Sequence, residues 1–207
     1  MRLSIKKFVD ICARTLPISE PIYEFGALQV PGQEGFADLR SLFPAKKYVG
    51  ADIREGTGVD ILLDIQRIDL PSESVGTVLV LDTLEHVELP REAIQETHRI
   101  LKPNGILIIS SVMNYHIHDY PADYWRFTPG GLNSILKPFS HSFIGFTGSS
   151  LSPITVVGIG FKGTVPENAM NEFMKMFQRW RRGDWRMVVK LLAPPLLLDW
   201  FLKRVGV

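Results

Sequence analysis

The sequence contains little cysteine, little net charge and no long apolar run. Cys12 is the only cysteine among 207 residues, which excludes an internal disulfide and favours a reducing, cytoplasmic compartment. The net charge is +1, so no basic excess indicates a nucleic-acid partner. No uninterrupted apolar stretch is long enough to cross a bilayer. The first residues interleave apolar and charged positions, which is not the pattern of a signal peptide.

What the sequence does contain is an alternation of short apolar strands and amphipathic helices. Such an alternation predicts an α/β fold with a doubly wound, mostly parallel sheet. Two further apolar segments around Gly148-Ser149-Ser150 predict an antiparallel hairpin at the sheet edge, which makes seven strands. The predicted helices cover 5–16, 34–43, 90–101 and 129–136, and the predicted strands cover 21–26, 48–52, 59–64, 75–81, 106–112, 142–146 and 154–159.

The segment 162–207 differs from the rest and is predicted to be a helical extension of a domain covering 1–161. It carries nine Lys and Arg against four Asp and Glu, and it holds three of the four Trp residues. This composition is compatible with packing on its own domain, with a homodimer interface, or with peripheral contact at the inner face of a membrane. The pair Pro194-Pro195 disfavours a spanning helix.

Three of the predicted strands have an acidic residue at or near their carboxyl ends, namely Glu24, Asp52 and Asp64. In open α/β sheets, ligands bind outside the carboxyl ends of the strands. A pyrophosphate needs a glycine-rich nest of N–H groups, whereas here Glu24 and a single glycine, Gly26, form the first turn. An acid beside this turn favours a cationic adenosyl ligand, S-adenosylmethionine, over a dinucleotide, so a dinucleotide-dependent oxidoreductase is a weak alternative.

Four segments resemble the class I S-adenosylmethionine-dependent methyltransferases, and in particular their type 11 small-molecule branch. They read YEFGA at 23–27, YVGADI at 48–53, VLVLDTLEHV at 78–87 and REAIQETHRILKPNGILIIS at 91–110. The resemblance implies a Rossmann-like methyltransferase fold and S-adenosylmethionine as cofactor. It also implies that the methionine end contacts Glu24 and Gly26, and that Ala27 is a further cofactor-binding residue. The other implied cofactor contacts are Asp52 at the ribose, Asp64 and Ile65 at the adenine, Asp82 at the border of the methyl pocket, and Ile53.

The acceptor side is predicted to use residues that follow the fourth and fifth strands. His86 is the candidate general base, because an imidazole exchanges protons near neutral pH. The aromatic and polar segment 114–128 is predicted to form the acceptor pocket, and it resembles a segment of methyltransferases encoded among polysaccharide-biosynthesis functions. We therefore expect O-methylation of a small molecule or glycan. The candidate acceptor contacts are His116, His118, Tyr124, Trp125 and Arg126.

Two further expectations concern metal binding and catalysis. No metal site is predicted, because His116, His118 and Asp119 have no matching ligand set elsewhere in the sequence. The first turn keeps the acid and the first glycine of the family, but it continues Ala27-Leu28-Gln29 where the family has further glycines. This departure supports the alternative function, a catalytically silent methyltransferase-like binding or scaffold module.

Overall fold

A computed structural model describes residues 2–32, 34–118 and 122–183, the side chains of 182 and 183 excepted. Within these residues, seven strands form one sheet in the order β3-β2-β1-β4-β5-β7-β6. The strands β1 to β5 are parallel, and β7 runs antiparallel between β5 and β6. The strand bounds are β1 Ile22–Phe25, β2 Tyr48–Asp52, β3 Ile61–Leu62, β4 Val75–Leu81, β5 Leu101–Val112, β6 His141–Gly148 and β7 Pro153–Phe161.

The helices cover both faces of this sheet and bury two apolar layers. One layer contains Ile94 of α2 and Leu132 of α3, and the other contains Phe8 of α1 and Phe173 of α4. The strand β4 is buried along its whole length, as its continuous apolar sequence predicts for a central strand covered on both sides. The helix bounds are α1 Leu3–Thr15, α2 Pro90–Ile100, α3 Pro129–Ile135 and α4 Glu167–Gly183.

The predicted doubly wound sheet and its antiparallel edge hairpin are confirmed, but one helix was predicted wrongly. In place of a helix over 34–43, the described part of this segment has one 3-10 turn at Arg40–Leu42. Gly35 takes a φ of +74°, a left-handed conformation that cannot belong to a right-handed helix. The apolar spacing was real, since Leu39 and Phe43 are buried, but the chain reaches these positions through a loop.

The C-terminal extension packs on its own domain as far as the structure describes it. Phe177 and Trp180 of α4 lie 5.3 Å apart between ring centroids, and both contact Phe8 of α1. The Trp180 indole N–H also donates to the Ser4 carbonyl oxygen at 2.8 Å. The apolar face of α4 is therefore used within the domain. The rest of the predicted extension, 184–207, lies outside the described residues. No helix in the described ranges is long and apolar enough to cross a membrane.

Candidate functional site

A cleft of about 440 Å³ opens at the carboxyl ends of β1, β2 and β4. Strand order reverses direction between β1 and β4, so this is the switch point at which open α/β sheets bind ligands. His86 and His118 lie in the wall of the cleft, and Tyr115 lines it as well. All eight residues predicted to contact the cofactor line this cleft, namely Glu24, Gly26, Ala27, Asp52, Ile53, Asp64, Ile65 and Asp82.

The turn after β1 needs a glycine at Gly26 for two reasons. Its φ is +81°, which L-residues with side chains rarely adopt. A Cβ at this position would also lie 2.1 Å from the Thr83 hydroxyl oxygen. The backbone of the first turn therefore packs directly against the Thr83 side chain, and a side chain at position 26 would have no room.

The bulkier residues Ala27-Leu28-Gln29 are accommodated by glycines in the facing loop after β2. A Cβ on Gly58 would lie 2.5 Å from the Ala27 carbonyl oxygen, and a Cβ on Gly56 would lie 2.4 Å from Leu28 Cδ1. Gln29 N donates to the Thr57 carbonyl oxygen at 2.9 Å. Glycines in the loop after β2 therefore leave room for the bulkier residues of the first turn.

Glu24 is a buried acid at the end of the cleft nearest β1. It is 7% exposed and accepts a hydrogen bond of 2.6 Å from the Tyr48 hydroxyl. Burial raises the pKa of Glu24 to about 7, and hydrogen bonding from Tyr48 and the charge of Arg40 offset only part of this rise. The carboxyl is therefore divided between its neutral and charged forms near neutral pH, and a cationic ligand would favour the charged form.

Asp52 and Asp64 lie at the β2–β3 side of the cleft. Asp52 Oδ2 accepts from Leu28 N at 3.2 Å, and its Oδ1 accepts from Arg54 N at 3.0 Å, so the carboxylate links the first loop to the end of β2. A carboxylate has about four acceptor sites, so acceptor sites remain for a ligand. Asp64 is exposed and caps the following turn by accepting from Gln66 N at 2.8 Å.

Asp82 has a cation partner that the sequence did not reveal. Two nitrogens of the Arg2 guanidinium contact its carboxylate oxygens at 2.8 and 3.0 Å, and a third contact joins Arg2 to the Thr155 hydroxyl. The Ser110 hydroxyl donates to the same carboxylate at 2.8 Å. Asp82 takes a φ of +48°, a conformation that is costly outside glycine and that clusters at functional sites.

Glu85 is fully buried in the 3-10 turn Leu84–His86, yet it lines the cleft. The Ser111 hydroxyl donates to its Oε2 at 2.8 Å, whereas Oε1 has no hydrogen-bond partner among the described residues. Burial and the negative charge of Asp82 raise the pKa of Glu85 to about 8. The Glu85 backbone carbonyl accepts from Tyr124 N at 2.8 Å, which fixes the loop after β5 against this turn.

His86 and His118 meet edge to face, with ring centroids 4.7 Å apart. The Nδ1 of His86 lies 2.7 Å from the Ala122 carbonyl oxygen. The Nδ1 of His118 lies 3.2 Å from a carboxylate oxygen of Asp123. A carbonyl oxygen only accepts, and the Asp123 carboxylate is charged because Arg126 lowers its pKa well below the usual range. Both rings therefore carry a proton on Nδ1, and Nε2 is the nitrogen left to act on a ligand.

The other predicted acceptor contacts lie beside the cleft and do not line it. Arg126 is held by both oxygens of Asp123, and the Trp125 indole N–H donates to the Val87 carbonyl oxygen at 2.9 Å. His116 stacks on Tyr115 with centroids 4.3 Å apart, and Tyr124 is 49% exposed. These side chains hold the loop after β5 in place and present aromatic surface next to the cleft.

Sequence reasoning missed two charged residues of the site, Arg2 and Glu85. Glu85 belongs to the Leu-Glu-His-Val segment that carried the resemblance, but the sequence alone does not indicate that this glutamate is buried. Arg2 reaches Asp82 across 80 positions of sequence, and no local pattern in the chain indicates that contact.

Comparisons with known proteins agree with this geometry. The family model described as a methyltransferase domain matches residues 37–109. No curated protein matches the chain. A methyltransferase from Thermotoga maritima has 18% identity and a TM-score of 0.56, covering 77% of this chain and 89% of its own. A methyltransferase from Archaeoglobus fulgidus has 15% identity and a TM-score of 0.56, covering 76% and 94%.

A third solved structure, the CurJ carbon methyltransferase, has 13% identity and a TM-score of 0.55, covering 77% of this chain and 54% of its own. At these identities the likeness shows the fold, which is the Rossmann-like methyltransferase fold that the sequence predicted. This likeness and the family match together confirm the resemblance to class I S-adenosylmethionine-dependent methyltransferases, and they support the prediction that the protein is an enzyme.

Proposed function

We propose that this chain transfers the methyl group of S-adenosylmethionine to a hydroxyl of a small molecule or glycan. The observation that carries the proposal is the cleft at the switch point, which Glu24, Gly26 and Asp52 line at the carboxyl ends of β1 and β2. S-adenosylmethionine supplies an electrophilic methyl group on a positively charged sulfur. The remaining chemistry falls to the residues of the chain.

The acids of the cleft suit the cationic donor. Glu24 would face its amino group, and Asp52 would accept hydrogen bonds from the ribose hydroxyls, as an acid at the end of a second strand does for other adenosyl ligands. The apolar side chains of Ile53 and Ile65, with Asp64 beside them, would contact the adenine. Each of these residues lines the same cleft.

The acceptor hydroxyl would lie on the His86 side of Asp82. A hydroxyl must lose its proton as its oxygen forms the new bond, and a nitrogen lone pair aimed into the cleft favours that loss. The Nε2 of His86 is the candidate, since Nδ1 is held by Ala122. The exposed aromatic side chains Tyr115, Tyr124 and Trp125 favour a ring-shaped acceptor such as a sugar.

Isothermal titration calorimetry with S-adenosylmethionine and S-adenosylhomocysteine tests the proposal. We expect saturable one-to-one binding that Asp52→Asn weakens at least tenfold, since a hydrogen-bonded pair of hydroxyls loses its charged acceptor. Asp69→Asn, an exposed acid outside the cleft, is the control and should bind like wild type. Absence of binding by either ligand at millimolar concentration contradicts the proposal.

A further inference from the structure

Three side chains on the acceptor side of the cleft converge on one point. A ring nitrogen of His86, a ring nitrogen of His118 and a carboxylate oxygen of Glu85 all lie within 4.8 Å of one another. Glu85 and His86 belong to the turn after β4, and His118 belongs to the loop after β5. Two separate elements therefore bring these three donors together at the cleft wall.

The hydrogen bonds of both imidazoles are those of metal-ligating histidines. The Nδ1 of His86 lies 2.7 Å from the Ala122 carbonyl oxygen. The Nδ1 of His118 lies 3.3 Å from the His116 carbonyl oxygen and 3.2 Å from an Asp123 carboxylate oxygen. In metal sites, a histidine ligand usually donates its second ring N–H to a carbonyl or a carboxylate, which fixes the ring and makes the free nitrogen more basic. Both rings have this arrangement before any cation binds.

Glu85 provides an independent indication. Its side chain is fully buried, and Oε1 has no hydrogen-bond partner among the described residues although the residue lines the cleft. A buried polar oxygen without a partner costs free energy and calls for an explanation. The Arg2 guanidinium does not supply the partner, because its hydrogen bonds go to Asp82 and Thr155. A cation bound at this point would supply a partner for Glu85 Oε1.

We propose that Glu85, His86 and His118 bind a divalent transition-metal cation. Two neutral imidazoles and one carboxylate form a donor set that suits zinc, manganese or ferrous iron. Ligand atoms that bind a metal at about 2.1 Å lie roughly 3 to 4 Å apart, so a small inward movement of the His118 loop completes the set. Three protein ligands leave coordination positions open toward the cleft.

The role of the cation rests on the proposed function, although its binding does not. A cation here would bind the acceptor oxygen and favour loss of its proton, and His86 Nε2 would then be a ligand instead of a base. The proton passes to solvent. The oxygen lone pair forms the new C–O bond, and the electron pair of the broken S–CH3 bond stays on sulfur.

Titration of the full, metal-free chain with Co²⁺, followed by visible absorption, tests the site without S-adenosylmethionine. Wild type is expected to bind one Co²⁺, and both Glu85→Gln and His118→Ala should weaken binding by about 100-fold. His118→Ala should keep the fold by circular dichroism, since the residue lies in a surface loop. His116→Ala tests the neighbouring imidazole and should bind normally. His141→Ala, at the opposite end of the sheet, is the second control.

Each outcome decides one proposal. The metal site is overturned if wild type shows no saturable Co²⁺ binding, if Glu85→Gln and His118→Ala bind like wild type, or if His116→Ala alone abolishes binding. Calorimetry of the metal-free protein with S-adenosylmethionine is run in parallel. If the protein binds S-adenosylmethionine but not Co²⁺, only the proposed metal site is contradicted. If it binds Co²⁺ but not S-adenosylmethionine, only the proposed methyl transfer is contradicted.

Discussion

Glu24→Gln is expected to stabilise the protein at alkaline pH. The pKa of Glu24 is about 7 in the fold against about 4.5 for an unfolded glutamate, so the unfolded state gives up this proton first as the pH rises. A group whose folded pKa is raised contributes stability below its unfolded pKa and loses that contribution as the pH rises through the folded pKa. The cost of ionising Glu24 therefore grows between pH 4.5 and 8.

The magnitude follows from the shift of the Glu24 pKa. About 2.5 pKa units at about 1.36 kcal/mol each give a cost of roughly 3 kcal/mol at pH 8. Glutamine has the same shape, can still accept from the Tyr48 hydroxyl and never ionises. Glu24→Gln should therefore raise the free energy of unfolding by about 2 to 3 kcal/mol at pH 8, and by less than about 1 kcal/mol at pH 5.

Urea denaturation of wild type and Glu24→Gln at pH 5, 6, 7 and 8 measures this difference. Glu172→Gln, which removes an exposed acid from α4, is the matched control and should stay within about 0.5 kcal/mol of wild type at every pH. A Glu24→Gln difference that does not grow with pH, or that becomes destabilising at pH 8, refutes the reasoning about burial. On the proposed function, the same variant should bind S-adenosylmethionine more weakly, because it lacks the carboxylate charge proposed to face the donor's amino group.

Three other perturbations test the site. Calorimetry with S-adenosylmethionine at pH 7 in buffers of different ionisation enthalpy should show release of about half a proton by wild type and none by Glu24→Gln, and equal release would contradict the placement of Glu24. Gly58→Ala should weaken donor binding at least tenfold, because its Cβ would meet the Ala27 carbonyl oxygen at 2.5 Å, whereas Gly32→Ala has a similar positive φ and no neighbour within 4 Å and should bind normally. Arg2→Ala should lower the free energy of unfolding by about 1 to 3 kcal/mol, since it leaves a half-buried Asp82 unpaired, and Arg2→Lys should lose less in the same denaturation assay.

The sequence was most informative where geometry follows from periodicity. Parallel strands end at one edge of the sheet, so Glu24, Asp52 and Asp64 could be placed on one cleft from strand ends alone. The segment after Val30 could not be predicted in this way, because the positive φ of Gly35 interrupts a helical spacing whose apolar positions are nevertheless buried. The glycines that make room for Leu28 lie in another loop, and only the folded chain relates the two loops.

Contacts between segments that are distant in sequence could not be predicted either, because only the folded chain brings such segments together. Nothing local distinguishes His118 from His116, yet the Asp123 carboxylate orients His118 toward His86, while His116 stacks on Tyr115. The partner of Asp82 is equally remote, since Arg2 precedes α1 and reaches the cleft only because α1 packs on the sheet. Such contacts depend on the path of the chain and leave no periodic pattern in the sequence.

The Arg2 guanidinium reduces the electrostatic repulsion between Asp82 and the acids that lie on either side of it in the cleft. Asp82 lies between the cofactor side, with Glu24 and Asp52, and the acceptor side, with Glu85. Its charge is offset by the Arg2 guanidinium at 2.8 Å, so Asp82 contributes less repulsion to the acids on either side. On the proposed function, the cofactor side then meets a cationic donor, and the acceptor side, where Glu85 Oε1 is unpartnered, is free to meet a second cation. If Asp82 were unpaired, its negative charge would make Glu85 still harder to ionise, and the acceptor side would be a poorer cation site.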